Sequence, residues 1–337
     1  MPEPRQPERV SFVARALALL MSTLYRLTPG WMADAGSAAM ARFVYWKGRA
    51  LHSVVLQDFR DNVDPTAQLS ARTWRPVRAM YRAIVRNAAD GIWFLTGSRA
   101  AAQRRFRMAD PSPIAVALAA GRQTGVGALV VFPHLGSYAA IPVVLAINGV
   151  PTTVVANRQS GLTQWVITRG ARKAGLELVV VDTAKGASVT AELAAAIERG
   201  RVVAIAGDYF RAREGGAKGI EVDLAGTRRA VGRGPALLAL RTGAAIVPIA
   251  IFQDGHRREP VLGQAIFAGG PLGRDDPNLE ELVAGTSQRI ADALGQLIKR
   301  APDQWVMPGG LVSDSLGRQR RGADKQAPHP VIDAVER

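Results

Sequence analysis

From residue 128 onward the chain alternates short, unbroken apolar runs with longer amphipathic stretches. The runs are ALVVFP (128–133), TTVVA (152–156), ELVVVD (177–182), VVAIAGD (202–208), GIEVDL (219–224) and AIVPIAIF (245–252). Their length and Val/Ile content are those of strands buried on both faces. Helix-like segments occupy 161–175, 185–199, 232–243 and about 277–300. Buried strands joined by helices predict an α/β fold with a mainly parallel central sheet flanked by helices. In such a sheet, catalytic groups gather at the carboxyl ends of the strands.

The first third of the chain has a different pattern. Residues 11–28, SFVARALALLMSTLYRLT, contain an apolar run from Ala16 to Met21 between Arg15 and Arg26. The uncharged stretch is about half of the ~20 residues a spanning helix needs. It fits a helix lying in a membrane interface with its arginines among headgroups, and it equally fits a core helix. From 33 to about 120 the spacing is helical, with Trp74, Met80, Tyr81, Ile84, Val85 and Trp93 lining one or two faces. No chemistry-bearing motif stands out there. The Pro-rich start and the aperiodic stretch after Ser313 read as a loose arm and a solvated tail. The expected organisation is an arm (1–10), a helical membrane-associated region (11–120), an α/β domain (121–310) and a flexible tail (311–337).

Charge narrows the partners. Across 337 residues, 43 Lys and Arg face 28 Asp and Glu, a formal +15. This balance favours anionic partners, a phospholipid surface or nucleic acid. Aromatic content of 6% and the absence of a zinc-finger or aromatic RNA-binding pattern turn the reading towards a membrane or phosphorylated substrates, with no nucleic acid expected. The chain contains no cysteine, which excludes disulfides, thiolate metal sites and a cysteine nucleophile. Gly215-Gly216 and GRGP (232–235) match neither the G-x-G-x-x-G nor the P-loop spacing, so nucleotide chemistry is not indicated.

There are four histidines: His52, His134, His256 and His329. His134 alone directly follows a buried-type strand, in VVFPHLGSYAA, with Gly136 and Ser137 placed to open the next helix. That is where an α/β enzyme holds a general base, with helix-start amides near to stabilise negative charge. Arg228, Arg229 and Arg233 cluster in GTRRAVGRGP before a helix, where guanidinium and backbone N–H groups can hold a phosphate. Arg211 and Arg213, close to Asp208, offer the same chemistry. Glu221 and Asp223 alternate with Val222 and read as the solvent face of an edge strand, and no metal site follows.

Four blocks carry a family resemblance: PHLGSY (133–138), GDYF (207–210), GIEVDLAGTRRAVGRGPALLALRTGAAIVPI (219–249) and PDQWVM (302–307). In this order they resemble the bacterial acyltransferases of lipid A biosynthesis and the phosphatidylinositol mannoside acyltransferases, within the glycerolipid acyltransferase-like superfamily. The resemblance implies a peripheral enzyme at the cytoplasmic face of the cell membrane. It implies an acyl donor, acyl-CoA or acyl-carrier protein, used as substrate with no cofactor. Transfer to a hydroxyl or amine of a lipid or glycolipid would be direct. The resemblance also implies phosphate or headgroup contacts from Arg228, Arg229 and Arg233, and a substrate-contacting arginine near Arg158, Arg169 or Arg172.

The family's signature places Asp or Glu five residues after the histidine, where this chain has Ala139. That acid orients the imidazole and steadies the imidazolium. Asp208, at the end of VVAIAGD, is the expected replacement, since strand ends converge on one edge and the family has an acidic residue near that block. The resulting expectation is His134 as general base, Asp208 as its partner, and amides near Gly136 and Ser137 holding the oxyanion. A catalytically silent lipid- or acyl-carrier-binding protein of the same fold and a transferase acting on a secondary-metabolite acceptor are the alternatives.

Overall fold

The structure is a computed structural model that describes residues 10–47, 74–106, 108, 110–159, 161–181, 186–209, 219–273 and 275–306. The expected arm at 1–9 and the expected tail lie outside the described residues, as do His52, His329, Arg211 and Arg213.

The strands described are β1 (Ala128–Phe132), β2 (Thr152–Asn157), β3 (Glu177–Val181), β4 (Val202–Ala206), β5 (Ile220–Leu224), β6 (Thr227–Val231), β7 (Ala245–Asp254) and β8 (Arg257–Leu262). Six of them form one sheet in the order β3-β2-β4-β1-β7-β8. It is parallel from β3 to β7, and β8 pairs antiparallel with β7 at one edge. Every residue of β1 is buried, as is all of β7 except Asp254, so both faces are covered.

The helices are α1 (Phe12–Leu27), α2 (Gly30–Lys47), α3 (Trp74–Trp93), α4 (Arg99–Arg105), α5 (Ser112–Thr124), α6 (Ile141–Ile147), α7 (Gly161–Ala174), α8 (Gly186–Glu198), α9 (Gly234–Thr242) and α10 (Leu279–Arg300). Period-two alternation splits the strands between two cores. Leu129, Val131, Val203 and Ile246 face one side and pack with Ile290, Leu294 and Ile298 of α10. Val130, Phe132, Ala204 and Val247 face the other and pack with Ile114 of α5 and Val144 and Leu145 of α6. Glu280 and Glu281 in the first turn of α10, with Lys299 and Arg300 in its last, match the helix dipole.

Two expectations need correction. GIEVDL does not join the parallel sheet. It is β5 of a separate antiparallel hairpin with β6, and the basic TRRAV segment, expected only as a stretch before a helix, is the second strand. The connecting turn is Ala225-Gly226, with both φ values positive (59° and 93°), the conformation a two-residue hairpin requires. The segment RREPVL, not expected as a strand, is β8. It returns antiparallel from β7 through the Gly255-His256 turn.

The N-terminal helices leave apolar surface uncovered. On α1, Val13, Leu17, Leu20, Leu24 and Leu27 share one face at helical spacing and are each at least 52% exposed. Trp31, Phe43 and Trp46 of α2 are also exposed. Among the described residues no helix is long and apolar enough to cross a membrane.

Candidate active site

The register of the two central strands positions the site. Parallel pairing of β1 with β4 ends at Phe132 opposite Ala206, and the Gly207 N–H donates to the Phe132 carbonyl at 3.0 Å. Two residues past the last pair on each strand stand His134 and Asp208. Only glycine fits between β4 and Asp208, because a Cβ at Gly207 would lie 2.4 Å from Val131 Cγ1.

His134 and Asp208 are joined twice. His134 Nδ1 and Asp208 Oδ1 are 2.8 Å apart, and the His134 backbone N–H donates to Asp208 Oδ2 at 2.8 Å. The Trp305 indole N–H donates to the same Oδ2 at 2.8 Å. An ionised carboxylate only accepts, so Nδ1 carries the proton and Nε2 is left basic. The Asp208 side chain is fully buried, while that of His134 is 20% exposed. Burial opposes the charged forms of both. On His134 it is outweighed by the Asp208 charge and hydrogen bond, which hold the imidazole above its ordinary value. Burial likewise pushes the Asp208 carboxyl upward, but the His134 charge and hydrogen bond, the Trp305 indole and the His134 amide together hold it below the usual range.

The C-terminal PDQW block braces this pair. Trp305 is fully buried, and the Val306 N–H donates to the His134 carbonyl at 2.9 Å. The Gln304 side chain exchanges hydrogen bonds with the backbone of Gln253 on β7, at 2.8 and 2.9 Å. The resemblance pointed to this block without assigning it a task. Its contact with Asp208 depends on chain reversal after α10, which no local pattern encodes.

The turn after β1 is tightly held. Gly136 has φ +58°, and a Cβ there would lie 2.1 Å from the Ile251 carbonyl oxygen, so glycine is required. The amides expected to hold an oxyanion are committed elsewhere: Gly136 N–H donates to Gln304 O at 3.0 Å and Ser137 N–H to Ile251 O at 2.9 Å. Nor does Ser137 open an α-helix directly. A 3-10 turn (Tyr138–Ala140) intervenes before α6, and the buried Ser137 hydroxyl donates to Asp90 Oδ2 at 2.6 Å. Ala139, in the position of the family's acid, donates its N–H to Asn87 Oδ1 at 2.9 Å.

Asn87 and Asp90 come from α3, the region in which the sequence showed no chemistry. Both are buried, and Asp90 also accepts from Arg105 (2.8 Å) and Arg258 (2.5 Å). The neighbouring Arg86 pairs with Asp34 of α2. The available signal was a run of polar residues three apart on a helix rich in apolar ones, which reads as a solvated face until its surroundings are known.

The arginines separate by position. Arg229 is brought to Trp305, with its guanidinium 4.4 Å from the ring centroid. Arg228 is exposed and paired with Glu221 on the neighbouring strand at 2.6 Å, and Arg233 is paired with Glu280 at 2.5 Å. Glu221 and Asp223 are exposed, and Asp223 Oδ1 accepts the Gly226 N–H of the hairpin turn at 2.8 Å. Arg158 is exposed just past β2, at the same sheet edge as His134. Arg172 is in the last turn of α7, which returns from that edge to the start of β3, so Arg172 stands at the opposite end of the sheet. Arg169 stacks on Trp165 of its own helix at 5.5 Å. Among the described residues no group of three or more acidic, His or Cys side chains is arranged to hold a metal ion.

A strand-end histidine held by a buried carboxylate is suited to removing a proton from an attacking hydroxyl or amine. Residues 98–308 match the family model described as bacterial lipid A biosynthesis acyltransferase. No individual curated protein matches the chain. The matched span contains His134, Asp208, Arg229 and Trp305, and leaves α1–α3, with Asn87 and Asp90, outside. The chain belongs to the bacterial lipid A biosynthesis acyltransferases, and it is an enzyme that transfers an acyl group to a lipid.

Proposed function

We propose that this acyltransferase moves a fatty acyl chain from a thioester, acyl-CoA or an acyl-carrier protein, to a hydroxyl or amine of a lipid or glycolipid at an anionic membrane surface. The observation that carries the reading is the 2.8 Å contact of His134 with the fully buried Asp208 at the carboxyl edge of the sheet. His134 Nε2 takes the acceptor's proton as it attacks the thioester carbonyl, and Asp208 stabilises the imidazolium that forms. The same proton then passes to the departing thiolate. Asp208 fills the place of the acid missing at Ala139, which supports catalysis over a silent binding role. Release of free thiol from palmitoyl-CoA or palmitoyl-carrier protein, with glycolipid and phospholipid acceptors in vesicles, tests the reading. Turnover is expected from the wild type and none above background from His134→Ala; equal rates in the two would sink it.

The exposed face of α1 supports peripheral membrane attachment. Each large apolar side chain it could bury contributes roughly 1.5–3 kcal/mol, and Arg15 and Arg26 on the same helix suit anionic headgroups. Among the described arginines, Arg158 just past the carboxyl end of β2 and Arg229 on Trp305 are the ones best placed to meet phosphate on donor or acceptor. Leu17→Glu with Leu24→Glu is expected to weaken sedimentation with phosphatidylglycerol vesicles by at least about tenfold. Undiminished vesicle binding by that double variant would remove α1 from the interface.

A further inference from the structure

Attack on a thioester turns the carbonyl oxygen into an oxyanion, and a donor aimed at it accounts for much of catalysis in acyl transfer. At the His134 turn most backbone N–H groups are already used. The amides of His134, Leu135, Gly136, Ser137, Ala139 and Ala140 each donate to a protein oxygen. A side-chain donor stands beside them. The Tyr138 ring meets the His134 imidazole edge-on, with centroids 4.8 Å apart and planes at 69°. Tyr138 is partly exposed, as is His134, while Ser137 between them in the turn is fully buried.

Asn87 sets the direction of the Tyr138 hydroxyl proton. The Asn87 carboxamide oxygen accepts the Ala139 N–H at 2.9 Å, which fixes the flip of the side chain. Its NH2 group is therefore the end that hydrogen-bonds the Tyr138 hydroxyl, and the phenol oxygen is the acceptor. The phenol's own proton is turned away from Asn87. Burial and the nearby Asp208 charge push the phenol up to about 12, against a counter-effect from Asn87, so the group remains a neutral donor at working pH.

We propose that the Tyr138 hydroxyl, presented by Asn87, donates the hydrogen bond that stabilises the tetrahedral oxyanion formed beside His134. This rests on the thioester-transfer reading above. The acceptor oxygen or nitrogen bonds to the carbonyl carbon as its proton passes to His134 Nε2. The carbonyl π pair becomes the oxyanion and is held by Tyr138 O–H. Collapse of the intermediate breaks the C–S bond, and the thiolate leaves with the proton from Nε2. Tyr138 keeps its own proton throughout.

Tyr138→Phe preserves the ring contact and removes the donor. It is expected to lower kcat by about 10²-fold or more, with KM for the acyl donor within about threefold and the thermal midpoint unchanged. Because His134 and Asp208 are untouched, the pH dependence of kcat should keep its wild-type midpoint. Asn87→Asp places a carboxylate where the phenol proton would turn inward, and should cause a similar loss that is not additive with Tyr138→Phe. A kcat for Tyr138→Phe within threefold of wild type, in an enzyme that His134→Ala inactivates, overturns this role alone. A wild type inert with every donor overturns the transfer reading and this inference with it.

Discussion

Asp208→Asn is expected to lower kcat by about 10³- to 10⁴-fold while the protein remains folded. Asn matches the carboxylate in size and can still accept from the Trp305 indole and the His134 amide, which now bond to Oδ2 at 2.8 Å each. It cannot accept from the ring and also keep the imidazolium stable. Where its NH2 faces Nδ1, the ring proton moves to Nε2 and the base is lost. The pH profile separates this role from simple packing. In the wild type the raised imidazole must lose its proton before it can act, so activity should rise with pH through a midpoint above the ordinary ~6.5. In Asp208→Asn the attractive charge is gone and burial, which acts in the opposite direction, is left in control. The midpoint of the residual activity should fall below ~6.5. An acid limb unmoved by the substitution would mean that Asp208 does not set the state of His134.

The same pair gives stability an opposite sign on its two sides. Asp208, with its lowered value, contributes stability that is present above its unfolded value and lost as pH falls through the folded one. His134, with its raised value, contributes stability that is complete below ~6.5 and lost as pH rises through its folded value. Activity is therefore expected on the alkaline side, where the neutral imidazole still donates from Nδ1 to the Asp208 carboxylate and Nε2 is free to accept a proton.

Asp90→Ala is expected to destabilise the fold by about 3–5 kcal/mol, measured by denaturant unfolding. Asp90 is fully buried and is the carboxylate shared by Arg105, Arg258 and Ser137. Its removal strands the Arg258 side chain, only 2% exposed, without a counter-ion. A loss of this size is a large part of the roughly 5–15 kcal/mol available to a domain. It should also loosen the His134 turn, because Ser137 loses the acceptor that anchors it to α3. Asp90→Leu combined with Arg258→Met removes both charges and should recover part of the lost stability, as apolar replacements of buried pairs do. A change under about 1 kcal/mol in Asp90→Ala would show that solvent reaches the cluster.

Much of the scaffold could be read directly from residue order. The five parallel strands and the helices between them follow from Val/Ile runs and period, because a strand covered on both faces must be apolar throughout. The β5–β6 hairpin was obscured since its turn is Ala225-Gly226 and lacks the Asn-Gly or Asp-Gly signal, and since Arg228 and Arg229 make β6 look like a loop. Strand β8 was hidden for a similar reason: Arg257 and Glu259 are exposed at the sheet's edge, and Arg258 between them is buried against Asp90. His134 and Asp208 were legible as strand-end residues, and the shared β1–β4 register makes their meeting almost a consequence of counting.

By itself the sequence determined the α/β sheet, the strand-end positions of His134 and Asp208 and the family pattern, because each depends on residue type and spacing along one element. Tertiary structure decided what depends on distant segments meeting. It brought Trp305 under Asp208 and Arg229 over Trp305, separated Arg172 from the site, and committed the Gly136 and Ser137 amides to Gln304 and Ile251. It also turned Asn87 and Asp90 from apparent surface positions of a helix into the buried mount of the His134 turn. The physical reason is that a polar residue's role is set by which donors and acceptors remain when water is excluded, and that is known only once the chain has closed around it.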